Sequence, residues 1–268
     1  MIIWIASYPK SGNTWVRLFL KSYYKNLNKD FISHTFPKIQ DLLDLSIDYR
    51  NFIEIVKNWE TIQDKLNLDK KLKFLKTHNA LCTINGCKFT SKKNTIGAIY
   101  LVRDPRDVLV SYSAHLGQTY NQVLKGMIDP NNGELADYKN EEWRRSIMGK
   151  WSDHYNSWKS YNYGNILTIK YEDLSKNPFK EFSKIINYLN QVDNIEVNRN
   201  LILKSIDETS FEKLKKEEEL FGFEEATNHT KFFRKGKVGD WKNNVDKNLI
   251  YQIEKIFNKE MKELGYLT

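Results

Sequence analysis

The segment Tyr8-Pro-Lys-Ser-Gly-Asn-Thr-Trp15 follows directly on the apolar run Ile2-Ile3-Trp4-Ile5-Ala6. A short apolar run reads as a buried parallel strand. A helical pattern begins at Thr14, so the loop between them is a helix N-terminus. Unpaired backbone N–H groups and the positive end of the helix dipole converge at such a point and suit it to an anion. Lys10 and the hydroxyls of Ser11 and Thr14 add side-chain donors. A plain turn built by Pro9 and Gly12 explains the loop alone equally well, and the G-x-x-x-x-G-K-[ST] order of a Walker loop is absent. Companion segments weigh against the plain turn. Arg103 ends the β-branched run Thr95–Val102, and Ser111 follows two helical turns later. Arg234-Lys235-Gly236 joins a planar cationic fork to a residue that permits close backbone approach. His78 lies two residues after Lys76 at the end of Leu72–Thr77. With an ordinary pKa of about 6.5, a neutral imidazole there accepts a proton near neutral pH.

The elements that must position these residues can be traced along the chain. Helical spacing of Val16, Leu18, Phe19 and Tyr23 predicts a helix from Thr14 to about Asn26. Residues 31–71 read as a mixed segment with helical pieces near 38–45 and 50–66. Leu72–Thr77, Thr95–Val102 and Asn165–Tyr171 read as strands. Asp104 is a helix N-cap and Pro105 suits the first helical position, giving a helix to about His115. Residues 117–140 read as a polar loop or lid, and Glu141–Trp158 as a long aromatic-rich helix. Helices are expected from Pro178 to Leu189 and from Asp246 to Leu264. Short helical pieces fill 196–216, and a charged loop spans 217–240. This alternation predicts an α/β fold of three layers, a central mainly parallel sheet flanked by helices. Every singled-out residue falls at a strand end or in a late loop, where ligands bind such sheets.

Composition sets the bounds. The chain has 268 residues, read as one domain over 1–268, with 40% hydrophobic and 13% aromatic content, which fits a globular protein. No run approaches the length of a membrane span, and the N-terminus lacks the layout of a secretory signal, so a cytoplasmic location is expected. Cys82 and Cys87 match neither a disulfide scaffold nor a zinc spacing and read as free thiols. The net charge of +8 favours anionic ligands in general, and a solvated basic surface explains it equally well.

Taken together, the segments resemble the sulfotransferases that use 3′-phosphoadenylyl sulfate (PAPS). Tyr8 to Trp15 resembles their 5′-phosphosulfate loop, and Tyr100-Leu-Val-Arg-Asp-Pro-Arg-Asp-Val-Leu-Val-Ser111 resembles their 3′-phosphate segment. Phe233-Arg-Lys-Gly-Lys-Val-Gly-Asp-Trp-Lys242 is similar to their R-K-G-x-x-G-D-W-K motif, and Lys76-Thr77-His78 to their K-T-H segment. Tyr171-Glu-Asp-Leu, Asn177-Pro178 and Thr209-Ser-Phe211 also fall in family order, so the likeness runs from residue 4 to about 245. The resemblance implies a P-loop nucleoside triphosphate hydrolase-like fold and no metal. It implies that Lys10 and the N–H donors of Ser11, Gly12, Asn13 and Thr14 hold the phosphosulfate. Arg103 and Ser111 would hold the 3′-phosphate with Arg234, Lys235 and Gly236 closing over it. Trp15, Tyr171 and Phe211 would flank the adenine, and Thr209 and Phe233 would also belong to the cofactor site. It further implies in-line transfer to a hydroxyl or amine, leaving 3′,5′-diphosphoadenosine (PAP). His78 would be the general base, Lys10 would stabilise the leaving group, and Lys76 would assist near the sulfuryl oxygens. Ser111 would hold the catalytic lysine until acceptor binds.

Each residue also has a plain structural reading. Arg103-Asp104 and Arg106-Asp107 form an ion-pair cluster in that reading, and Trp15, Tyr171 and Phe211 are core aromatics. His34, His115, His154 and His229 lack the setting of His78 and read as packed or surface residues. Asn13 stands where many family members carry Thr. The Thr-Val pair and Glu of the animal dimer motif are missing after Lys242, which leaves that homodimer contact in doubt. The alternatives are an ATP-dependent kinase on a related sheet and a non-catalytic nucleotide-binding module. No magnesium-binding acid partners a GK[ST] lysine, and no nucleic-acid signature is present. The acceptor site falls to segments 31–71, 117–150 and 217–232. Their aromatics (Phe31, Phe36, Trp59, Tyr120, Trp143, Phe221, Phe223) favour a small apolar alcohol or phenol over a long sugar polymer.

Overall fold

A computed structural model describes residues 1–267. Nine strands follow one another among the described residues: β1 (Ile2–Ser7), β2 (Ser33–Thr35), β3 (Lys73–Thr77), β4 (Thr83–Ile84), β5 (Cys87–Lys88), β6 (Thr95–Val102), β7 (Gly133–Tyr138), β8 (Glu141–Ile147) and β9 (Asn165–Lys170). Five of them form one parallel sheet in the order β2-β3-β1-β6-β9. From β1 the chain first builds outward on one side, through β2 and β3, and then on the other, through β6 and β9. The order reverses beside β1, so the crevice at its carboxyl end is where a ligand is expected to bind in such a sheet.

The uninterrupted apolar character of β1 follows from helices on both faces. Ile2, Trp4 and Ala6 pack with Leu75, Ala98 and Tyr100 on one face, under helices Pro105–Leu116, Trp151–Lys159 and Lys247–Ile256. Ile3 and Ile5 pack with Phe74, Ile99 and Leu101 on the other, under helices Asn13–Asn26, Pro178–Asp193 and Arg199–Glu208. Each fully buried large apolar side chain contributes about 1.5–3 kcal/mol, so this double cover fixes β1 and the loop that leaves it. Helix starts follow their caps. Asp104 accepts from Arg106 N–H with Pro105 at the first position, and Asn177 accepts from Lys180 N–H with Pro178 in the same place. No described helix is long and apolar enough to cross a membrane.

The middle of the chain departs from expectation. Residues 117–140 hold a helix, Tyr120–Met127, and strand β7. The expected long helix 141–158 is instead strand β8 followed by helix Trp151–Lys159, with Gly149 left-handed between them. The reason is a two-residue hairpin turn at Lys139-Asn140, both with positive φ (53° and 66°), which pairs Tyr138 with Glu141. Strand β2 is three polar residues long and has no periodicity to detect. Helix Phe211–Phe221 runs into the expected loop at 217, and the last helix divides at Phe257 into Lys247–Ile256 and Asn258–Glu263.

Candidate active site

The loop after β1 turns through Lys10 and Gly12, both left-handed (φ 64° and 98°), and delivers Asn13 as the first helical residue. Gly is required at 12 on two counts, since an added Cβ would also meet Tyr171 Cδ2 at 2.8 Å. The first helical N–H with a helix partner is that of Val16, bonded to Gly12 O. The loop opens on a cavity of about 1270 Å³. All of the residues singled out from the sequence line it except Ser11, which is buried beneath with its Oγ unpartnered. The side chain of Asn13 turns back, donating to Ile5 O (2.9 Å) and Ser7 Oγ (3.2 Å), so it braces β1.

A carboxylate from the distant loop sits in the cation-rich end of this cavity. Glu225 Oε2 accepts from Thr14 Oγ1 (2.9 Å) and Lys76 Nζ (2.9 Å), and Oε1 pairs with Arg17 Nη2. Burial works against its charge, but Lys76 and Arg17 outweigh it and bring the carboxyl down to about 2. Lys10 Nζ lies beside this group, 3.4 Å from His115 Nδ1 and 4.0 Å from the centre of the Phe232 ring. Burial foremost, with the cations Lys76, Arg103 and Arg234, lowers the Lys10 ammonium to about 7 against the opposing pull of Glu225. Ser111 lines the same wall one turn before His115 on helix Pro105–Leu116. The side chain beside Lys10 is thus His115, which sequence reading left as a packing residue.

His78 leaves β3 at the mouth of the sheet and is almost fully buried. Its Nδ1–H donates to Ser7 O at 2.7 Å, with Ser7 Oγ at 3.3 Å. That bond fixes the tautomer and leaves Nε2 as a proton acceptor. Burial foremost, then the Lys76 cation, depresses the imidazole to about 3, so it is neutral at ordinary pH.

The other end of the cavity is a cationic and aromatic wall. Arg103 is fixed by Nη1 to Lys10 O (3.1 Å), by Nη2 to Lys237 O (2.9 Å) and over the Tyr171 ring (4.2 Å), while its Nε is buried without a partner. Trp15 Nε1 donates to Thr209 O (3.0 Å), and the Thr209 hydroxyl is consumed by Ser205 O (2.7 Å). Gly236 is left-handed (φ 60°), and a Cβ there would meet Phe211 Cδ2 at 2.7 Å. Phe233 N–H donates to Glu218 Oε2 (2.9 Å). Arg234 and Lys235 both pair with Asp240 (3.2 and 3.0 Å). Asp107 accepts from Gly239 N–H (2.7 Å) and Trp241 N–H (3.2 Å), tying this loop to the helix that carries Ser111. Arg106 is structural, held by Asp104 and Glu254 and stacked on Trp241.

Several of these residues were not legible beforehand. Glu225 and His115 belong to no spacing rule, while Asp107 and Asp240 lie inside the 3′-phosphate and R-K-G-x-x-G-D-W-K segments without a role read for them. The three segments assigned to the acceptor side do line it, through residues such as His34, Gln122, Glu134, Arg145 and Phe232. Their seven named aromatics do not. Phe31, Phe36, Trp59 and Trp143 pack in the interior and Phe221 is 83% exposed, while Tyr120 and Phe223 also lie outside the lining.

Comparison with known proteins fits this geometry. A family model described as the sulfotransferase domain matches residues 2–265. The chain is 29% identical over 276 residues to Sulfotransferase 1B1 of Canis lupus familiaris, covering 96% of this chain and 82% of that one. It is 29% identical over 277 residues to Sulfotransferase 1E1 of Mus musculus, covering 97% and 83%. Among solved structures, mouse sulfotransferase SULT7A1 complexed with PAP is similar in fold. The TM-score is 0.63 at 23% identity, over 97% of this chain and 83% of that one.

Proposed function

This chain belongs to the sulfotransferase family, and from that premise we propose that it moves the sulfuryl group of PAPS to a hydroxyl of a small acceptor, an alcohol or phenol. The observation that carries the donor reading is Glu225, a carboxylate held by Thr14, Lys76 and Arg17 beside the first loop. It marks an anion cradle. The buried, unpartnered Ser11 Oγ and Arg103 Nε and the close approach of Gly236 to Phe211 also fit a phosphorylated nucleotide.

On this reading the bound donor supplies an activated sulfuryl group. Lys10 and the N–H groups of Asn13 to Trp15 hold its phosphosulfate end, while Arg103, Ser111, Arg234 and Lys235 hold its 3′-phosphate. Trp15, Tyr171, Phe211 and Phe233 flank its base. His78 Nε2 takes the proton of the acceptor hydroxyl, and Ser7 O holds the ring through Nδ1–H so that the free lone pair faces the cavity. The Lys10 and Lys76 ammonium groups neutralise negative charge as it develops, a preorganised electrostatic contribution. Ser111 and His115, one turn apart, offer Lys10 two alternative neighbours. The free thiols Cys82 and Cys87 suit a reducing cytoplasm.

Thermal unfolding with PAP and no magnesium tests the donor. A ligand at about 100 times its Kd adds about 2.7 kcal/mol, so the midpoint is expected to rise by several degrees. A rise only with ATP and magnesium overturns the reading in favour of a kinase.

A further inference from the structure

The acceptor side of the cavity carries polar chemistry that the proposed reaction does not use. β7 and β8 form a hairpin whose open end is docked against the reacting centre. Ile147 N–H donates to Asn79 Oδ1 (2.9 Å) and Ala80 N–H to Ile147 O (2.8 Å), immediately after His78. Asn132, just before β7, accepts from Met148 and Gly149 N–H (2.8 and 3.0 Å) and donates to the Tyr8 hydroxyl (3.0 Å). The hairpin is therefore a rigid wall beside His78.

Its register shifts at one place. Glu134 opposes Ser146 and Leu135 opposes Arg144, so Arg145 is the extra residue of a bulge. A bulge re-aims a side chain out of the alternating pattern. Arg145 and Glu134 both line the cavity and face one another loosely, Nη1 to Oε1 at 3.5 Å. Arg145 Nε and Glu134 Oε2 are both buried and unpartnered. One donor and one acceptor of this pair thus stand without partners on the cavity that His78 also lines. Val110 and Val123 add apolar lining to the same cavity.

Resting on the sulfotransferase reading, we propose that the acceptor is a small polyhydroxylated ring, sugar-like or cyclitol-like, bound through adjacent hydroxyls to Glu134 and Arg145 while another hydroxyl meets His78. The hydroxyl is the group that satisfies both orphaned atoms, since each one both donates and accepts. An ammonium would serve only Glu134, and a carboxylate only Arg145. The apolar lining from Val110 and Val123 suits the C–H face of such a ring. A phenol or a simple alcohol leaves the donor and the acceptor unmade, and buried polar groups left unpaired are how a site rejects an analogue lacking the matching group.

The test offers methyl glucoside, methyl galactoside, myo-inositol, cyclohexanol and 4-nitrophenol as acceptors with PAPS, beside PAP binding by calorimetry. At least one polyol is expected to exceed cyclohexanol and 4-nitrophenol in kcat/KM by about tenfold or more. Glu134→Gln and Arg145→Lys are expected to raise the KM of that polyol several-fold with kcat, cyclohexanol turnover and PAP affinity kept. Preference for cyclohexanol or 4-nitrophenol, polyols that are not turned over by a PAP-binding protein, or equal losses on every acceptor overturn the inference and leave the donor reading intact. Absence of PAP binding overturns the donor reading itself.

Discussion

Lys76 Nζ and Glu225 Oε2 stand 2.9 Å apart, although 149 positions separate them in the chain. Lys76 is the last residue but one of β3, beside the proposed base, and Glu225 belongs to the loop that also carries Phe232 to Gly236. The protein therefore supplies its own anion to the cation cluster at the first loop. A second anion can enter only by displacing this carboxylate or by sharing its cations. Glu225→Gln is expected to raise PAP affinity about tenfold, because each charge-assisted contact that need not be broken is worth about 1.5–3 kcal/mol, partly offset by the amide. The same change should lower the stability of the unliganded protein, since Arg17 and Lys76 lose their counter-charge. Calorimetric titration and thermal unfolding read the two effects. Weaker PAP binding in the variant would make Glu225 a scaffold of the loop instead of a competitor.

His78 is separable from the proposed nucleotide wall. Its contacts are to Ser7, and none runs to Arg103, Arg234 or Tyr171. His78→Ala is expected to reduce turnover by about 100-fold to 10,000-fold, the range for loss of a positioned general base. PAP affinity should stay within about twofold, because the residue makes no anion contact. Single-turnover sulfation and PAP titration on the same preparation check this. Joint loss of both properties would mean that His78 holds the loop together.

The pH dependence follows from two depressed groups. His78, at about 3, is already neutral at pH 5, so acidification from pH 7 to 5 should not remove the base. The usual acid limb near about 6.5 for a histidine base is therefore expected to be missing. Lys10, at about 7, loses its charge as pH rises through neutrality, so kcat/KM for PAPS should fall on the alkaline side. The stability sign is opposite. The folded Lys10 value of about 7 lies below the model-compound value of 10.5, so between them the unfolded chain binds more protons and stability rises with pH. Bound PAP, by favouring the ammonium, should flatten that rise. Initial rates and unfolding midpoints across pH 5 to 9 with and without PAP measure both.

The residues that sequence reading brought together share a physical trait. Lys10, Gly12, Arg103 and Gly236 act where backbone geometry is fixed by local residue type: a left-handed turn, a strand end, a capped helix. Pro105 and Asp104 announce their helix in two residues. Strands β1 and β6 were legible because burial makes them apolar almost throughout, while β3 and the edge strand β9 showed only short apolar stretches between polar residues. The β7–β8 hairpin was not, because its turn is Lys139-Asn140, without the glycine that usually marks such a bend. Reading that stretch as helix also hid the bulge at Arg145, since a bulge exists only relative to a partner strand. Glu225 was illegible for another reason. Its partners Thr14, Arg17 and Lys76 lie 211, 208 and 149 positions away, and no local pattern encodes a contact of that span.

Asp107 gives the sharpest test of how the late loop is held over the cavity. Its two oxygens accept from the N–H groups of Gly239 and Trp241, and Arg103 next to it donates to Lys237 O. Burial foremost raises the Asp107 carboxyl, while Arg103 and the two N–H donors oppose that shift. The interaction therefore depends on a charge kept by its partners. Asp107→Ala removes both acceptors and strands two backbone donors, at a cost of about 1–3 kcal/mol for each that stays buried. The loop would then lose its anchor without losing any proposed nucleotide contact. PAP affinity is expected to fall about tenfold or more through faster dissociation, with His78-dependent chemistry intact once the donor is bound at saturation. Asp107→Asn keeps one acceptor and should recover part of the loss. Stopped-flow release of PAP distinguishes this from a direct contact. Unchanged release with slower chemistry would place Asp107 in the reaction and not in the loop.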